Sequence, residues 1–380
     1  MKELFYLAMV DFENWESDGI CKKILNQIHA LRSMHYNVDF CYIKKGVTYV
    51  QRDQEEKRIG KAKGIIIRKR VCEDVKNFMK NKKYEGIYIR YCFSDRYFIN
   101  LLKFLKDNKV KIVVEIPTYP YDAEFQDKWD KKLVLFLDKY YRKIMKEYVD
   151  RIVTYSKDKM IFGIPTINCV NGIDFSQVSV RNNLQQATSI NLIAVASMVK
   201  WQGYDRLIKG IGEYYRTNGR RNLKLFLVGC GPEINYYKEI SSKYKIDKHI
   251  FFCGMKFGEE LDAIYNICDL AVAPLGMHRK DVYISSALKT REYVAKGLPI
   301  ITSTRIDVFP EDKCYFVCRV PEDESLIDIR TIIKYYDEIY LKKDKSDVIK
   351  EIRDYGKQVC DMIVVMKDIV NYFDSEETEL

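Results

Sequence analysis

The chain alternates short, almost wholly apolar runs with longer segments whose apolar residues recur every three or four positions. LFYLAMV (4–10) opens the series, and Ile20, Ile24, Ile28 and Leu31 then fall on one helical face. NVDFCYI (37–43), GIIIRKR (64–70), GIYIRY (86–91), KIVVEIP (111–117) and RIVTYS (151–156) read as further strands. FINLLKFLKD (98–107) and LVLFLDKYYRKIMKEYV (133–149) read as helices between them. Strands apolar on both faces and separated by helices predict a parallel sheet covered on each side. At NGIDFSQVSVRNNLQQATS (171–189) the pattern gives way to a polar stretch with no helical stripe, which reads as a linker. The series then restarts with strands INLIAVASM, LKLFLVG, HIFFCG, LAVAPL and PIITS. Between them lie helices from Tyr204 to about Asn218, at 233–245, in GEELDAIYNICD and in SSALKTREYVAKG. The expectation is α/β: two doubly wound, Rossmann-like parallel-sheet domains, spanning 1–175 and 186–360. The binding crevice of each would lie at the carboxyl ends of its strands.

Charge divides unevenly between these halves. Residues 1–175 hold 34 Lys and Arg against 24 Asp and Glu, whereas residues 176–380 hold 30 of each, so the whole net charge of +10 belongs to the first half. That asymmetry suits an anionic partner, either a phosphate-bearing molecule, a membrane surface or nucleic acid; a solvated basic face is the alternative. No arrangement of aromatic residues in basic strands supports nucleic acid as that partner. The 11 cysteines include no C-x-x-C pair, so free thiols in a reducing compartment fit better than disulfides or a zinc site. MKELFYLAMVDFENWES lacks the features of a signal peptide, and no segment approaches the ~18 apolar residues of a membrane span. A cytoplasmic protein, at most at the cytoplasmic face of a membrane, is the expectation.

Two Rossmann-like domains could serve a dehydrogenase, but the loop after the first strand, DFENWESDG, carries one glycine, and GCGPE (229–233) lacks the third glycine of G-x-G-x-x-G. No Asp-x-Asp occurs either, so a bound diphosphate would be held without metal, by cationic side chains and helix N-termini. The stretch SSALKTREYVAKGLPII (285–301) offers both. Ser285 and Ser286 are suitable N-cap residues for the helix that follows, and Lys289 and Glu292 share a face one turn in. A lysine beside a helix N-terminus suits phosphate oxygens, and a carboxylate one turn on suits a ribose diol. An ordinary i,i+3 surface ion pair is the competing reading.

ASMVKWQGYDRLIKG, LVGCGPE, HIFFCG, LDAIYNICDLAVAP and LKTREYVAKGLPII together resemble, in order and spacing, the C-terminal domain of the retaining glycosyltransferases of family 4. The likeness covers residues 191 to about 303 and is looser earlier, at SDGICKK, EIPTYPYD (115–122) and NGID (171–174). It implies the GT-B fold, two Rossmann-like domains facing a cleft, with a final helix at about 362–374 crossing back to the first domain. It also implies a nucleotide-diphosphate sugar as donor, UDP-sugar foremost, a glycan or lipid-linked acceptor, and work in cell-surface polysaccharide or glycoconjugate synthesis. Glu292 matches the second glutamate of the family's paired-glutamate motif, which holds the ribose hydroxyls, whereas the first, eight residues earlier, is replaced by Ile284. The family's arginine and lysine after the first strand of this domain are replaced by Ser197 and Gln202, with Lys200 between. Lys289 and Lys200 are left as phosphate partners, with Arg291 or the His278-Arg279-Lys280 loop as further ones. Donor-site positions carried over with them are Ser285, Ser286, Gly231, Gly254, Met255, Gln202 and, in the first domain, Gly19. Two readings stand: an active hexosyltransferase-type enzyme, or a degenerate protein serving as the partner subunit of another glycosyltransferase.

In the first domain Gly19 opens a strand-to-helix loop where backbone can approach a phosphate or sugar, and Lys22 and Lys23 follow as solvated or substrate-facing cations. EIPTYPYD supplies Glu115 as a catalytic candidate beside Lys289 and Lys200, and Tyr119, Tyr121 and Asp122 as acceptor-side contacts. The segment DKWDKKLVLFLDKYYRKIMKEYV suggests docking at an anionic bilayer, with Leu133, Leu135 and Phe136 either on that surface or in the core.

Overall fold

The computed structural model describes residues 2–13, 15, 19–60, 67–122, 129–182 and 188–376, without the side chains of 129–131. The chain divides into two compact units: 1–170 with 362–380, and 171–361. The expected linker therefore belongs to the second unit up to residue 182, and 183–187 lie outside the described residues. Phe175 explains the assignment, since this linker residue is fully buried in the second unit's core.

In the first unit the elements are β1 (Lys2–Asp11), α1 (Gly19–Ser33), β2 (Tyr36–Lys44), β3 (Val47–Arg52), β4 (Glu55–Arg58), α2 (Ile67–Met79) and β5 (Gly86–Arg90). There follow α3 (Arg96–Asp107), β6 (Lys111–Ile116), α4 (Trp129–Tyr141), β7 (Arg151–Thr154), β8 (Met160–Ile161) and β9 (Ile164–Asn168). The sheet runs β4-β3-β2-β1-β5-β6-β7-β9-β8, parallel from β2 to β9 and antiparallel at both margins. Residues 4–8 of β1 are wholly buried because helices cover both sheet faces, as a continuous apolar run requires. Asp95 caps α3, its carboxylate accepting from the backbone N–H groups of Tyr97 and Phe98. On α1, Ile24, Ile28 and Leu31 face the core, but Ile20 stands half exposed in the first turn.

GIIIRKR is not a strand where it is described: Ile67–Arg70 begin α2, whose Val71, Cys72, Val75 and Met79 carry a helical stripe, and 64–66 lie outside the described residues. The helix expected over 133–149 stops at Tyr141, with a separate 3-10 turn at Met145–Glu147.

The second unit continues with β10 (Ile190–Val195), α5 (Tyr204–Arg216), β11 (Leu223–Val228), α6 (Ile234–Lys243), β12 (Ile250–Gly254), α7 (Gly258–Ile267) and β13 (Leu270–Val272). Then come β14 (Ile284–Ser285), α8 (Leu288–Ala295), β15 (Ile300–Thr302), β16 (Arg305–Ile306), β17 (Val317–Arg319), α9 (Ile329–Tyr340) and α10 (Lys345–Cys360). Its main sheet is all parallel in the order β12-β11-β10-β13-β15-β17. The direction of winding reverses between β10 and β13, and ligands of such sheets bind outside the carboxyl ends at that point. α11 (Met362–Asp374) belongs to the first unit, where Met366, Ile369 and Phe373 join the core beneath α1.

Candidate functional site

The loops after β10 and β13 are held together at the switch point. Gly203, with φ +66°, lies against the backbone of Leu275 and Gly276, where a Cβ would come within 2.5 Å, and Leu275 N–H donates to the Gln202 carbonyl at 2.7 Å. Glycine is required there by both the dihedral and the contact. Gly231 (φ +157°) similarly brings the loop after β11 against Met198, whose carbonyl oxygen would stand 2.3 Å from a Cβ.

Into this crevice α8 carries Lys289 and Glu292. Lys289 Nζ donates to Gln202 Oε1 at 3.2 Å, and Tyr204 OH reaches the same oxygen at 3.3 Å. The residue standing where the resemblance places a lysine thus accepts a hydrogen bond from the lysine that remains. Burial lowers the Lys289 pKa to about 8, with the negative charge of Glu292 opposing the shift. Glu292 Oε1 accepts from Tyr265 OH at 3.1 Å, and Tyr265 itself is fully buried on α7. Lys289 and Glu292 thus each reach a residue of another segment, while the charge of Glu292 also acts on Lys289.

Other expected donor-site residues sit differently. Neither serine caps α8: its N-cap is Ala287 with no side-chain bond, and Ser285 is buried in β14. Ser286 Oγ is taken up by Asn171 Nδ2 at 3.2 Å and Arg291 Nη2 at 3.2 Å. Arg291 is fully buried, bonded to the Asn171 carbonyl at 2.9 Å and Asp307 at 2.5 Å, so it supports the crevice from beneath and presents no charge to a phosphate. Arg279 is occupied by Asp205 at 2.9 Å and Glu324 at 2.6 Å, and His278 by Glu324 at 2.8 Å. Lys280 lies over the Trp201 ring at 4.1 Å. Lys200 is exposed and lines an open pocket of about 450 Å³ with Trp201, Asp205 and Arg279, whose lining includes neither Lys289 nor Glu292. Gly254 (φ +67°) and Met255, half exposed, end β12 with open space around the glycine. Ser197 and Ile284 are exposed.

In the first unit, Glu115 is the next-to-last residue of β6 and has no exposed surface. Its Oε1 accepts from Arg90 at 3.0 Å, Tyr155 at 2.9 Å and Lys23 at 3.2 Å, and its Oε2 from Gln27 and Tyr88, both at 3.1 Å. Burial pushes its pKa up, but Lys23, Arg90 and the neutral donors outweigh burial and hold it down at about 2. Against the catalytic expectation for Glu115, the structure places its carboxylate below the surface, enclosed by five protein donors. Lys23, expected at the surface or on substrate, is buried in this cluster, and its pKa is lowered by burial against the pull of Glu115. Lys22 is exposed.

The acceptor-side tyrosine and aspartate are likewise tied to protein. Tyr121 OH donates to the buried Asp138 at 2.6 Å, and Asp122 accepts from Arg142 at 2.7 Å. Both partners come from α4 and the turn after it, so these groups anchor that segment and are not turned outward to a sugar. Tyr119 is half-buried, edge-on to Phe162 at 5.8 Å. Among the described residues, none lies within 4 Å of a side chain placed at Gly19, at the start of α1.

Residues 189–329 match the family model described as glycosyl transferases group 1. No curated protein matches the sequence. Among solved structures, the chain is similar to a sucrose-phosphate synthase from Thermosynechococcus elongatus (TM-score 0.64, 14% identity, 98% of this chain and 99% of that one). It is also similar to a glycosyltransferase from Rickettsia africae (TM-score 0.63, 11% identity, 98% and 97%) and to Anabaena HepE in complex with UDP (TM-score 0.62, 12% identity, 98% and 99%). The chain shares with these structures the two-domain α/β architecture called GT-B. Among the described residues, no helix is long and apolar enough to cross a membrane, and no group of three or more His, Cys, Asp or Glu side chains is placed to hold a metal ion.

Proposed function

We propose that the chain is a retaining glycosyltransferase of group 1 type that moves a hexosyl group from a UDP-sugar to a glycan or lipid-linked acceptor in cell-surface polysaccharide or glycoconjugate synthesis. The observation that carries this reading is the convergence of Lys289, Gln202, Glu292 and Tyr265 at the switch point of the second unit's sheet. The family match over that unit and the UDP complex of a structural neighbour support it. In this reading the bond from sugar to diphosphate breaks on the face where the acceptor oxygen bonds, so negative charge grows on the leaving diphosphate. Lys289, half-buried beside Gln202, meets that charge. Glu292, its carboxylate steadied by Tyr265, accepts both ribose hydroxyls. No metal is used, because the cation and backbone donors bear the diphosphate.

Two results test this. Incubation with a panel of UDP-sugars and no acceptor releases UDP slowly from one of them, through water entering the unfilled acceptor site, and excess chelator leaves that rate unchanged. Absence of turnover with every donor, together with co-purification of a second glycosyltransferase, refutes the enzyme reading, and a chelator-sensitive rate refutes the metal-free site. Glu292→Gln keeps one acceptor oxygen but loses the charge that strengthens both ribose hydrogen bonds. Calorimetry then records UDP affinity lower by about 10- to 150-fold. Unchanged affinity removes Glu292 from the site.

A further inference from the structure

The half of the chain whose Lys and Arg only balance its acids still carries one strongly basic pocket. It is a recess of about 530 Å³ in the second unit, where α5 and α6 end and β11 and β12 begin. Because that sheet is parallel, the recess lies at the edge opposite the crevice, and the six residues of β11 set the two about 20 Å apart. Its lining holds Arg216, Arg220, Lys243, Lys245 and Lys248 and no carboxylate. Two of these cations have an ordinary explanation: Arg216 and Lys243 stand in the last turns of α5 and α6, where positive charge suits the helix dipole, and Arg216 also donates to Glu213 at 2.8 Å. Arg220, Lys245 and Lys248 lie past the helix ends and are exposed, and among the described residues neither they nor Lys243 form an ion pair. Of the acids close by in sequence, Asp247 accepts from Ser242 Oγ at 2.7 Å, and Glu239 stands exposed on α6 outside the lining. Cations of one sign that converge on a recess concentrate anions there.

The buried part of the lining is held in place by backbone. His249 is only 8% exposed, its ring stacked on Tyr215 at 4.1 Å and its Nδ1 donating to the Leu223 carbonyl at 2.9 Å. Tyr215 OH in turn accepts from Leu223 N–H at 2.9 Å. Tyr244 packs where Gly212 leaves room, since a Cβ there would come within 2.4 Å of its ring. The shape and the charge select the partner. Docking at a bilayer calls for large apolar side chains turned outward, and none of the exposed ones lines this pocket. A recess of this volume holds one small molecule, and several cations match more than one phosphate. We propose that this pocket is an anion site for a small soluble molecule with two or more phosphate groups, held by Arg220, Lys243, Lys245 and Lys248 against the stacked Tyr215 and His249 rings. It is separate from the crevice and stands whether or not the chain transfers sugar.

The test titrates the full chain with inorganic tripolyphosphate at about 0.15 M salt and follows hydrogen exchange. Exchange slows across 215–222 and 243–249, and the melting temperature rises with the logarithm of the tripolyphosphate concentration. Protection is scored at those two segments alone, so tripolyphosphate taken up in the crevice does not count. The triple variant Arg220→Gln, Lys245→Gln, Lys248→Gln weakens binding at these segments by about 10- to 100-fold. Its melting temperature without ligand is unchanged, because the three side chains are exposed and form no ion pair. Added salt weakens binding to the wild type in the same direction. Absence of protection at the two segments overturns the proposal, as does protection that the triple variant retains. Capture of the chain by phosphatidylglycerol vesicles, with no response to tripolyphosphate, also overturns it and assigns the cations to lipid headgroups. An oligonucleotide that protects these segments where tripolyphosphate does not overturns it in favour of nucleic acid.

Discussion

Glu115→Gln lowers the stability of the first unit by about 3–5 kcal/mol, because it leaves Lys23 and Arg90 buried beside a neutral amide. Both cations lie below the surface, and each has Glu115 within 3.2 Å. For a unit of this size the melting transition drops by roughly 6 to 20 °C. A double variant, Glu115→Gln with Lys23→Met, loses less than the sum of the two singles, since removing both charges relieves the uncompensated one. Calorimetric melting of the four proteins gives the coupling. Additive losses would mean that the cluster is not the paired network its geometry describes.

The pH dependence of this cluster follows from the same carboxylate. Its folded pKa, about 2, lies below the ordinary value of 4.5, so between those values the unfolded chain binds the proton that the folded chain refuses. The stabilisation is present in full above about pH 4.5 and is lost as the pH falls toward 2. In Glu115→Gln this part of the acid lability disappears.

The buried cluster also shows what a linear reading hides. Glu115 stood out because it lies near the end of a core strand that leads into a proline-bearing loop, yet its five partners come from α1, β5 and the residue after β7, and Lys23 is adjacent to the exposed Lys22. Only folding separates those two lysines. The parallel sheets were legible because their strands are apolar on both faces; β4, by contrast, reads EEKR and is exposed along its length. An edge strand kept charged against further pairing carries no apolar signal. GIIIRKR misled because three isoleucines precede a helical stripe that begins only at Val71.

In the second unit the spacing of Lys289 and Glu292 announced a shared face, but not what each would touch. Gln202 lies 87 residues from Lys289, and Tyr265 lies 27 from Glu292, hidden in a stripe that reads as core. The N-cap expectation failed for a traceable reason: Arg291, five residues past Ser286, reaches back for its hydroxyl and for the Asn171 carbonyl.

Lys289→Ala reduces turnover by about 10²- to 10³-fold with a smaller change in donor affinity, if the lysine meets charge that grows on the leaving diphosphate. The wild-type pH profile carries the same signature. With a pKa of about 8 in the free protein, Lys289 loses its proton as the pH rises through that value, so kcat/KM for the donor falls above about pH 8. Bound diphosphate stabilises the ammonium, so the corresponding limb in kcat moves to higher pH. Lys289→Arg, charged throughout, shifts the kcat/KM limb out of range even where its geometry costs rate. Stability moves the opposite way. Between about 8 and the ordinary lysine value of 10.5 the unfolded chain holds the extra proton, so the wild-type fold gains stability with rising pH while activity is lost. A melting temperature that falls in step with activity above pH 8 would trace the loss to unfolding and not to Lys289. Unchanged turnover in Lys289→Ala would leave its bond to Gln202 as packing alone and put the reacting centre elsewhere in the crevice.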